Sequence, residues 1–170
     1  MDLKSLIRDV PDFPKKGVIF KDITPLLKNP KAFQQVIQQF ASRYQSRKID
    51  KIVAMESRGF ILGGALSVQM SVPFIPVRKP GKLPWKTIQE TYELEYGKDA
   101  LEIHKDAISK GDKVVILDDV LATGGTAAAT IRLVEKAGGE VVEACFLIQL
   151  TFLNGTKKLK KTPVFSILQL

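Results

Sequence analysis

Short apolar runs alternate along the chain with segments whose apolar residues have helical spacing. The runs are rich in Val and Ile and predict buried strands at residues 52–55, 74–77, 114–117, 141–150 and 164–168. Helices are predicted between residues 30 and 44, over 61–70 and over 125–137. Because this alternation is typical of parallel strands covered by helices, the pattern predicts an α/β fold with helices on both faces of a parallel sheet.

Two segments depart from that alternation. Residues 3–10 predict a short amphipathic helix that ends at Pro11, and residues 12–25 contain too much Pro and Gly for regular structure, so they predict a loop that either lines a site or packs on a core edge. Residues 91–94 and 100–103 flank a Gly-Lys-Asp turn and predict a β-hairpin. This long excursion between core strands, at about residues 79–104, is expected to be a mobile lid.

The most informative stretch is residues 114–130, where a predicted strand is followed by Asp118 and Asp119 and then by the loop Ala-Thr-Gly-Gly-Thr at 122–126. Gly124 and Gly125 allow the backbone N–H groups to form an anion-binding concavity. The following helix adds the N–H groups of its first turn, and the threonines add hydroxyl donors. The loop therefore predicts a site for a phosphate monoester, whereas the alternative is an ordinary tight turn between strand and helix.

The two carboxylates narrow the ligand. They would repel a phosphate in direct contact, but they fit hydrogen bonds from neighbouring sugar hydroxyls or an approach to a divalent cation. Phosphate, diol and metal within one turn of chain indicate a ribose 5-phosphate. Neither Gly-x-x-x-x-Gly-Lys-Ser/Thr nor a Gly-x-Gly-x-x-Gly that opens a helix after a strand is present.

A second strand is followed by a similar polar turn. Residues 56–60, Glu-Ser-Arg-Gly-Phe, come directly after the strand predicted at 52–55. Arg58 has a fork of donors that suits pyrophosphate, although an arginine in such a turn can equally form a surface ion pair. Open α/β sheets bind ligands at the carboxyl ends of their strands, which favours a site shared by both turns.

Composition limits the class of protein. The 170 residues fit a single domain, residues 1–170, and 45% hydrophobic with 26% charged residues is ordinary for a globular protein. Cys145 is the single cysteine, and neither a signal peptide nor an apolar run of about 18 residues is recognised, so a cytoplasmic location without membrane attachment is expected.

The net charge of +8 suits either a nucleic acid or a polyanionic small substrate. Zinc-ligand spacings, heptads and a helix-turn-helix signature are lacking, and the lysine cluster at 157–161 is more typical of a solvated turn. We therefore expect no nucleic-acid partner.

Residues 115–126 resemble the signature of the type I phosphoribosyltransferases, which bind 5-phosphoribosyl 1-pyrophosphate. Further segments resemble the adenine branch of that family, in order from about Asp12 to the C-terminus. These segments are DFP with GVIF at 12–20, ESRGF at 56–60, RKPGKLP at 78–84, YELEYG at 92–97 and ATGGT at 122–126. The resemblance implies the family's parallel-sheet core, a small hood formed by the N-terminal segment and a β-hairpin lid.

The resemblance also implies an activity, which is transfer of the phosphoribosyl group to N9 of adenine with Mg²⁺, giving AMP and pyrophosphate in purine salvage, by a homodimer. It implies that the 5-phosphate binds Ala122, Thr123, Gly124, Gly125 and Thr126. Asp118 and Asp119 would face the ribose hydroxyls, while Arg58, Arg78 and Lys82 would hold the pyrophosphate. Mg²⁺ would be held mainly by pyrophosphate and ribose, with no protein ligand assigned.

For the base, the resemblance implies that Phe20 and Leu150 sandwich adenine, that the backbone of Ile19 reads its Watson–Crick edge and that Glu95 interacts with N7. Glu95 and Arg58 are the implied catalytic residues. Many relatives have Arg after the phenylalanine of the base loop, whereas this chain has Lys21, which keeps the charge but loses the planar fork.

Two other functions remain open. One is that the chain is an enzyme of the same fold that acts on another purine base, such as guanine or xanthine, since a fold does not determine a substrate. The other is a transcriptional regulator that uses this fold as a ligand sensor, which needs a DNA-binding module for which the short N-terminal segment leaves no room.

Overall fold

The structure is a computed structural model that describes residues 1–93 and 97–170. Its strands are β1 (Arg8–Pro11), β2 (Ile19–Asp22), β3 (Lys51–Met55), β4 (Phe74–Val77), β5 (Thr87–Glu93), β6 (Lys98–His104), β7 (Lys113–Leu121), β8 (Glu140–Gln149) and β9 (Val164–Gln169). Its α-helices are α1 (Thr24–Lys28), α2 (Pro30–Arg43), α3 (Arg58–Met70) and α4 (Gly125–Lys136). Short 3₁₀ segments lie at Lys4–Leu6, Thr151–Leu153 and Gly155–Leu159.

The centre of the fold is a five-stranded sheet in the order β4-β3-β7-β8-β9, in which all neighbouring strands are parallel. The chain passes from β3 outward to β4 and then returns to β7 on the other side of β3. The direction of winding therefore changes between β3 and β7, which is the place where open α/β sheets bind ligands. The carboxyl ends of these two strands lie side by side.

Helices cover both faces of this sheet, as predicted. One core cluster joins the sheet to α2 and α3 through residues such as Phe40, Leu62 and Leu66, and the other joins it to α4 through Leu133 and Val134. The predicted start of α2 is also confirmed, because the side chain of Asn29 accepts hydrogen bonds from the backbone N–H groups of the first turn.

Two antiparallel pairs are attached to the parallel core. β1 pairs with β2 and forms the hood, and β5 pairs with β6 in the expected hairpin. The hairpin is fastened to the end of β4 by two backbone hydrogen bonds between Arg78 and Glu102, at 3.1 and 2.7 Å. It begins four residues earlier than the sequence indicated.

The helix predicted over residues 3–10 is wrong. After the 3₁₀ turn, residues 8–11 are drawn into β1 because they pair in register with β2, from Arg8 opposite Asp22 to Pro11 opposite Ile19. The loop predicted over residues 12–25 is also wrong in part. It contains β2 and the start of α1, where Pro25 occupies the first turn and therefore removes no helical hydrogen bond.

The strand predicted at residues 114–117 is longer than expected. β7 runs to Leu121, so Asp118 and Asp119 lie inside the strand and not at a loop tip. The strand remains paired to β8 here, with Asp118 opposite Phe146 and Val120 opposite Ile148. Backbone pairing on a central strand therefore continues through residues whose side chains alone suggest a strand end. Within residues 1–93 and 97–170, no helix is both long and apolar enough to cross a membrane.

Candidate active site at the carboxyl ends of β3 and β7

A cavity with a volume of about 480 Å³ lies beside the carboxyl ends of β3 and β7. It collects residues from the hood, from the turn after β3, from β7 and from the segment after β8. Its lining includes most of the residues singled out from the sequence, which are Ile19, Phe20, Arg58, Asp118, Asp119, Ala122, Thr126 and Leu150. Segments more than 130 residues apart in the chain, such as those of Ile19 and Leu150, thus meet at one place.

A smaller cavity of about 90 Å³ adjoins the first and lies in the loop between β7 and α4. Its lining includes all five residues of the predicted phosphate loop, Ala122, Thr123, Gly124, Gly125 and Thr126. The two cavities share Asp118, Val120, Ala122 and Thr126. A pocket lined by a helix N-terminus and threonine residues therefore lies directly beside a larger, mixed polar and apolar space.

The loop needs glycine because another segment presses against its backbone. Gly124 has φ of +78°, and a Cβ atom there would lie 2.2 Å from the carbonyl oxygen of Gly155. A Cβ atom on Gly155 would likewise lie 2.1 Å from the carbonyl oxygen of Ala122. The segment Gly155–Leu159 therefore supports the loop backbone to backbone. Sequence reasoning missed Gly155, since a glycine ahead of a lysine cluster reads as an ordinary turn.

The acidic pair is only partly compensated by positive charge, and Asp119 is buried while Asp118 is half-buried. Asp119 is 4% exposed, and Arg58 Nε lies 2.7 Å from its Oδ2 atom, in a geometry too poorly aligned for a hydrogen bond. Burial, together with the adjacent Asp119 carboxylate, raises the pKa of Asp118 well above its usual range. Burial also raises the pKa of Asp119, although Arg58 opposes that shift.

Close packing holds this acidic pair at the start of α3. A Cβ atom on Gly59 would lie 2.8 Å from Asp118 Oδ1 and 3.1 Å from the carbonyl oxygen of Leu117, so a side chain there would displace Asp118 or push α3 away from β7. The glycine of the Glu-Ser-Arg-Gly-Phe turn thus brings the arginine of one strand end next to the acids of the other.

The hood supplies an aromatic wall. Arg58 Cζ lies 4.5 Å from the ring centroid of Phe20, in a cation–π contact, and Phe13 packs edge-on against the same ring at 5.1 Å. Ile19 is 55% exposed, whereas Leu150 is buried, and both line the large cavity. Lys21, which is held by Asp9 at 2.7 Å, also lines it, as do Val18, Val120 and Leu153, which the sequence did not single out.

Two predicted residues lie outside the lining of both cavities. Arg78 donates to Glu56 Oε2 at 3.0 and 3.2 Å and to the carbonyl oxygen of Lys82 at 3.1 Å, and the Lys82 side chain is exposed. Glu56 also accepts the Lys79 N–H at 2.5 Å. Burial raises the pKa of Glu56, but these hydrogen bonds outweigh it and the net pKa is below its usual value. These hydrogen bonds to Glu56 thus hold the start of the segment 78–82 against the turn after β3. Glu95 lies outside the described residues.

In the part of the chain that the structure describes, no group of three or more His, Cys, Asp or Glu side chains is arranged to hold a metal ion. Mg²⁺ does not need such a group, because it keeps several waters and is commonly bound by one or two carboxylates together with substrate oxygens. The buried Asp119 Oδ2 atom, which accepts no hydrogen bond, fits that kind of site beside a phosphorylated sugar.

Comparison with known proteins identifies the class. A family model described as "Phosphoribosyl transferase domain" matches residues 22–169. The chain is 58% identical over 167 residues to the adenine phosphoribosyltransferase of Geobacter metallireducens, and the match covers 98% of each chain. The resemblance to phosphoribosyltransferases seen in the sequence is thereby confirmed.

Solved structures of adenine phosphoribosyltransferases have the same fold as this chain. A crystal structure of adenine phosphoribosyltransferase from Thermoanaerobacter pseudethanolicus has a TM-score of 0.97 at 53% identity, covering 99% of this chain and 98% of the other. That from Saccharomyces cerevisiae, complexed with an imino-altritol bisphosphate and adenine, has a TM-score of 0.92 at 44% identity, covering 97% and 96%. The chain belongs to the adenine phosphoribosyltransferases, and its fold is the type I phosphoribosyltransferase fold.

Proposed function

We propose that this chain is a purine salvage enzyme that transfers the phosphoribosyl group of 5-phosphoribosyl 1-pyrophosphate to N9 of adenine, forming AMP and pyrophosphate. The observation that carries the proposal is that the two cavities adjoin and share Asp118, Val120, Ala122 and Thr126 in their linings. A monoester in the small cavity would leave its ribose beside the acidic pair and its anomeric carbon facing the space that Phe20 and Leu150 line. Phosphate, diol and base sites then follow in the order in which AMP is built.

The 5-phosphate is assigned to the loop 122–126. The backbone N–H groups of Gly124 and Gly125 and the first turn of α4 suit an anion, and the threonine hydroxyls add donors. Asp118 and Asp119 would accept hydrogen bonds from the two ribose hydroxyls. Those bonds would compensate the carboxylates more fully than Arg58 does alone.

The pyrophosphate is assigned to Arg58, Arg78 and Lys82. Arg58 would turn from Asp119 and Phe20 toward the leaving group, which frees one face of the aromatic ring for the base. Arg78 is partly engaged by Glu56 and would contribute its remaining N–H donors and its charge. Lys82, which is exposed, would join when the hairpin segment closes over the site.

Bond cleavage makes two demands on the protein. Departure of pyrophosphate leaves positive charge on the ribose ring, next to which the proposal sets the carboxylates of Asp118 and Asp119, and it concentrates negative charge at Arg58, Arg78 and Lys82. When bound, Mg²⁺ would neutralise part of the pyrophosphate charge, and Asp118 and Asp119 are the residues closest in chemistry to its needs. A closed lid at residues 79–104 would exclude water that competes with adenine for the sugar.

The base is assigned to the space between Phe20 and Leu150, with the backbone of Ile19 as the reader of its Watson–Crick edge and Glu95 as the acid near N7. The yeast relative is described as a complex with adenine, which supports this base over guanine or xanthine. Glu95→Gln should therefore lower kcat more than it weakens binding of the sugar phosphate. Wild-type turnover in that variant would remove Glu95 from the proposal.

One assay tests the whole assignment. The protein is incubated with Mg²⁺, 5-phosphoribosyl 1-pyrophosphate and adenine, guanine or xanthine in parallel, and nucleotide products are separated by chromatography. We expect AMP and stoichiometric pyrophosphate. Turnover of guanine but not adenine would overturn the choice of base, and lack of turnover combined with tight binding to a DNA operator would favour the regulator. Omission of Mg²⁺ should abolish the reaction.

A cytoplasmic homodimer is the proposed state of the enzyme. The outward side of α3 carries Ile61 at 44% exposure and Val68 at 82% exposure, and no charged residue follows Arg58 in that helix. Apolar residues on all sides of a helix indicate burial, here against a second copy. Light scattering should give twice the chain mass, and Val68→Lys should give a monomer, whereas the control Gln38→Lys on α2 should not. A monomeric wild-type protein would contradict the proposal.

A further inference from the structure

A chain of polar contacts joins the pyrophosphate side of the site to the phosphate loop behind the cavities. It begins at Lys79, whose backbone N–H is held by Glu56 and whose Nζ atom lies 3.1 Å from Asp99 Oδ2 in the hairpin. Asp99 Oδ2 accepts from the Tyr92 hydroxyl at 3.4 Å, and that hydroxyl accepts from Thr126 Oγ1 at 3.4 Å. Thr126 is a member of the loop to which the 5-phosphate is assigned.

Tyr92 is placed firmly enough to act on that loop. It is 8% exposed, it is the cross-strand partner of Asp99 in the hairpin, and its ring lies beside the loop glycine, since a Cβ atom on Gly125 would be 3.5 Å from Tyr92 Cδ2. Its hydroxyl contacts are long for O–H···O bonds, so they orient the group without locking it. Burial raises the pKa of Tyr92, and the phenol therefore remains protonated.

The direction of these bonds follows from their chemistry. The Asp99 carboxylate only accepts, and Lys79 and the Ala100 N–H both donate to it. The Tyr92 proton therefore points to Asp99, and the Thr126 proton points to Tyr92. A phosphate dianion also only accepts, so Thr126 must turn its proton to the phosphate, and the Tyr92 hydroxyl can then donate to Thr126 in place of Asp99.

We propose that Tyr92 is a positioning residue for the 5-phosphate, which presents the Thr126 hydroxyl to the monoester, and that Asp99 holds the Tyr92 hydroxyl ready for this exchange. The inference rests on the assignment of the 5-phosphate to the loop 122–126. It requires no contact between Tyr92 and the substrate. Lys79 keeps Asp99 charged and compensated when the tyrosine proton leaves it.

The test compares Tyr92→Phe with wild type in steady-state kinetics. Loss of one hydrogen bond should raise the KM for 5-phosphoribosyl 1-pyrophosphate by about 3- to 10-fold, with kcat and the KM for adenine little changed. Binding by calorimetry should show the same loss for ribose 5-phosphate and none for inorganic pyrophosphate. Equal weakening of both ligands, or of neither, would overturn the proposal.

A double-mutant cycle shows whether Tyr92 acts through Thr126. Thr126→Val removes the hydroxyl and keeps the shape, so Tyr92→Phe should have no further effect on ribose 5-phosphate in that background. Additive effects would overturn the proposal. Tyr44→Phe is the matched control, because it removes another buried tyrosine hydroxyl that lies outside this chain of contacts. It should leave ribose 5-phosphate binding unchanged.

Asp99→Asn provides a second variant at a residue that is less buried than Tyr92, its cross-strand partner. An amide can donate as well as accept, so it no longer fixes the direction of the Tyr92 proton, and ribose 5-phosphate should bind about 2- to 5-fold more weakly. Unchanged binding would remove Asp99 from the proposal. Because ribose 5-phosphate contains no base, these measurements remain informative if wild type uses a base other than adenine. If wild type binds ribose 5-phosphate and Tyr92→Phe binds it equally well, the role of Tyr92 is wrong while the assignment of the 5-phosphate site stands.

Discussion

Two buried carboxylate sites lie on neighbouring strands and differ in how their charge is compensated. Glu143, near the start of β8, is 2% exposed, and Asp119, toward the end of β7, is 4% exposed. Both interact with an arginine from a helix that follows or precedes a core strand. They lie toward opposite ends of the parallel strands, so the same sheet offers one site for ligands and one for internal support.

The Glu143 site is saturated by the protein. Arg43 donates to both carboxylate oxygens at 2.5 and 2.6 Å, and the Tyr44 hydroxyl donates at 2.6 Å. Arg43 also lies 4.2 Å from the ring centroid of Phe165, and the buried Cys145 thiol contacts Tyr44 at 2.5 Å. Burial raises the pKa of Glu143, but the hydrogen bonds from Arg43 and Tyr44 lower it by more, so the net pKa lies below its usual value.

The acidic pair of β7 is under-compensated. Two adjacent carboxylates are opposed by one arginine, Arg58, that aligns with neither as a hydrogen-bond donor, and their pKa values are raised. A carboxylate whose hydrogen bonds are all made internally supports the fold, whereas a buried carboxylate with unused acceptors is prepared for donors that arrive with a ligand. The comparison therefore predicts opposite consequences for the same carboxylate-to-amide change.

The largest effect is expected from Asp119→Asn, which should impair catalysis. Loss of a charged acceptor for the ribose hydroxyls should lower kcat/KM for 5-phosphoribosyl 1-pyrophosphate by about 100-fold, near the upper limit for a charged hydrogen bond. The melting temperature should be unchanged or slightly higher, because a buried carboxylate with a raised pKa is replaced by a neutral amide. Activity and thermal unfolding are measured on the same preparation. Unchanged kcat/KM would remove Asp119 from the site.

Glu143→Gln should have the converse effect and serves as the matched control. It leaves Arg43 without its carboxylate, and because that arginine is about one-third exposed and regains water, the cost should be about 2 kcal/mol rather than the larger value for a fully buried pair. For a chain of this size the melting temperature would fall by about 4–8 °C. Kinetic constants should stay at wild-type values, and a selective loss of sugar-phosphate binding would contradict the distinction between the two sites.

The two sites were not equally predictable from the sequence. The meeting of Arg58 with Asp119 could be expected, because each follows an apolar run and carboxyl ends of parallel strands share an edge. Only the adjacency of β3 and β7, a long-range property, was undetermined. The pairing of Arg43 with Glu143 spans 100 residues and had no local signal beyond a charge inside an apolar strand. Gly155 was missed for the same reason, since its role depends on a contact with Gly124 from another segment.

Strand and helix types in the core were predicted correctly, and the errors lie where pairing overrides local preference. Residues 8–11 have helical spacing but form β1 because β2 offers hydrogen bonds in register. Asp118 and Asp119 looked like the end of a strand, yet β7 continues through them because its pairing with β8 extends to Leu121, whereas its pairing with β3 ends at Leu117. Arg78 lies outside the cavity lining because it donates hydrogen bonds to Glu56, an arrangement that a linear motif does not encode.

A smaller effect should follow from Tyr44→Phe. The change removes the hydroxyl donor to Glu143 and leaves Arg43 in place, so the free energy of unfolding should decrease by about 1 kcal/mol. Chemical denaturation of wild type, Tyr44→Phe and Glu143→Gln should therefore give an ordered series in stability. Kinetic constants in all three should coincide. A Tyr44→Phe protein as unstable as Glu143→Gln would show that the hydroxyl, and not the arginine, dominates the compensation of Glu143.

The smallest expected difference is in pH dependence. The contribution of the carboxylate to stability should change with pH in opposite directions at the two sites. Because the pKa of Asp118 is raised, its proton is taken up at higher pH than an ordinary carboxyl group, so sugar-phosphate binding should fall first as the pH is lowered. Glu143 has a lowered pKa, so its stabilising contribution is complete above its unfolded pKa and is lost only as pH falls through its folded pKa.

An acidic interval should therefore exist in which the protein is folded but binds ribose 5-phosphate weakly, measured by calorimetry and circular dichroism across the same buffers. For Asp118 the stability term runs the other way, since ionisation of a group with a raised pKa costs stability as pH increases. Glu143→Gln should flatten the acid decline in stability and leave the binding decline in place. Coincident declines in wild type would mean that binding is lost only through unfolding, and the contrast between the two carboxylate sites would then be wrong.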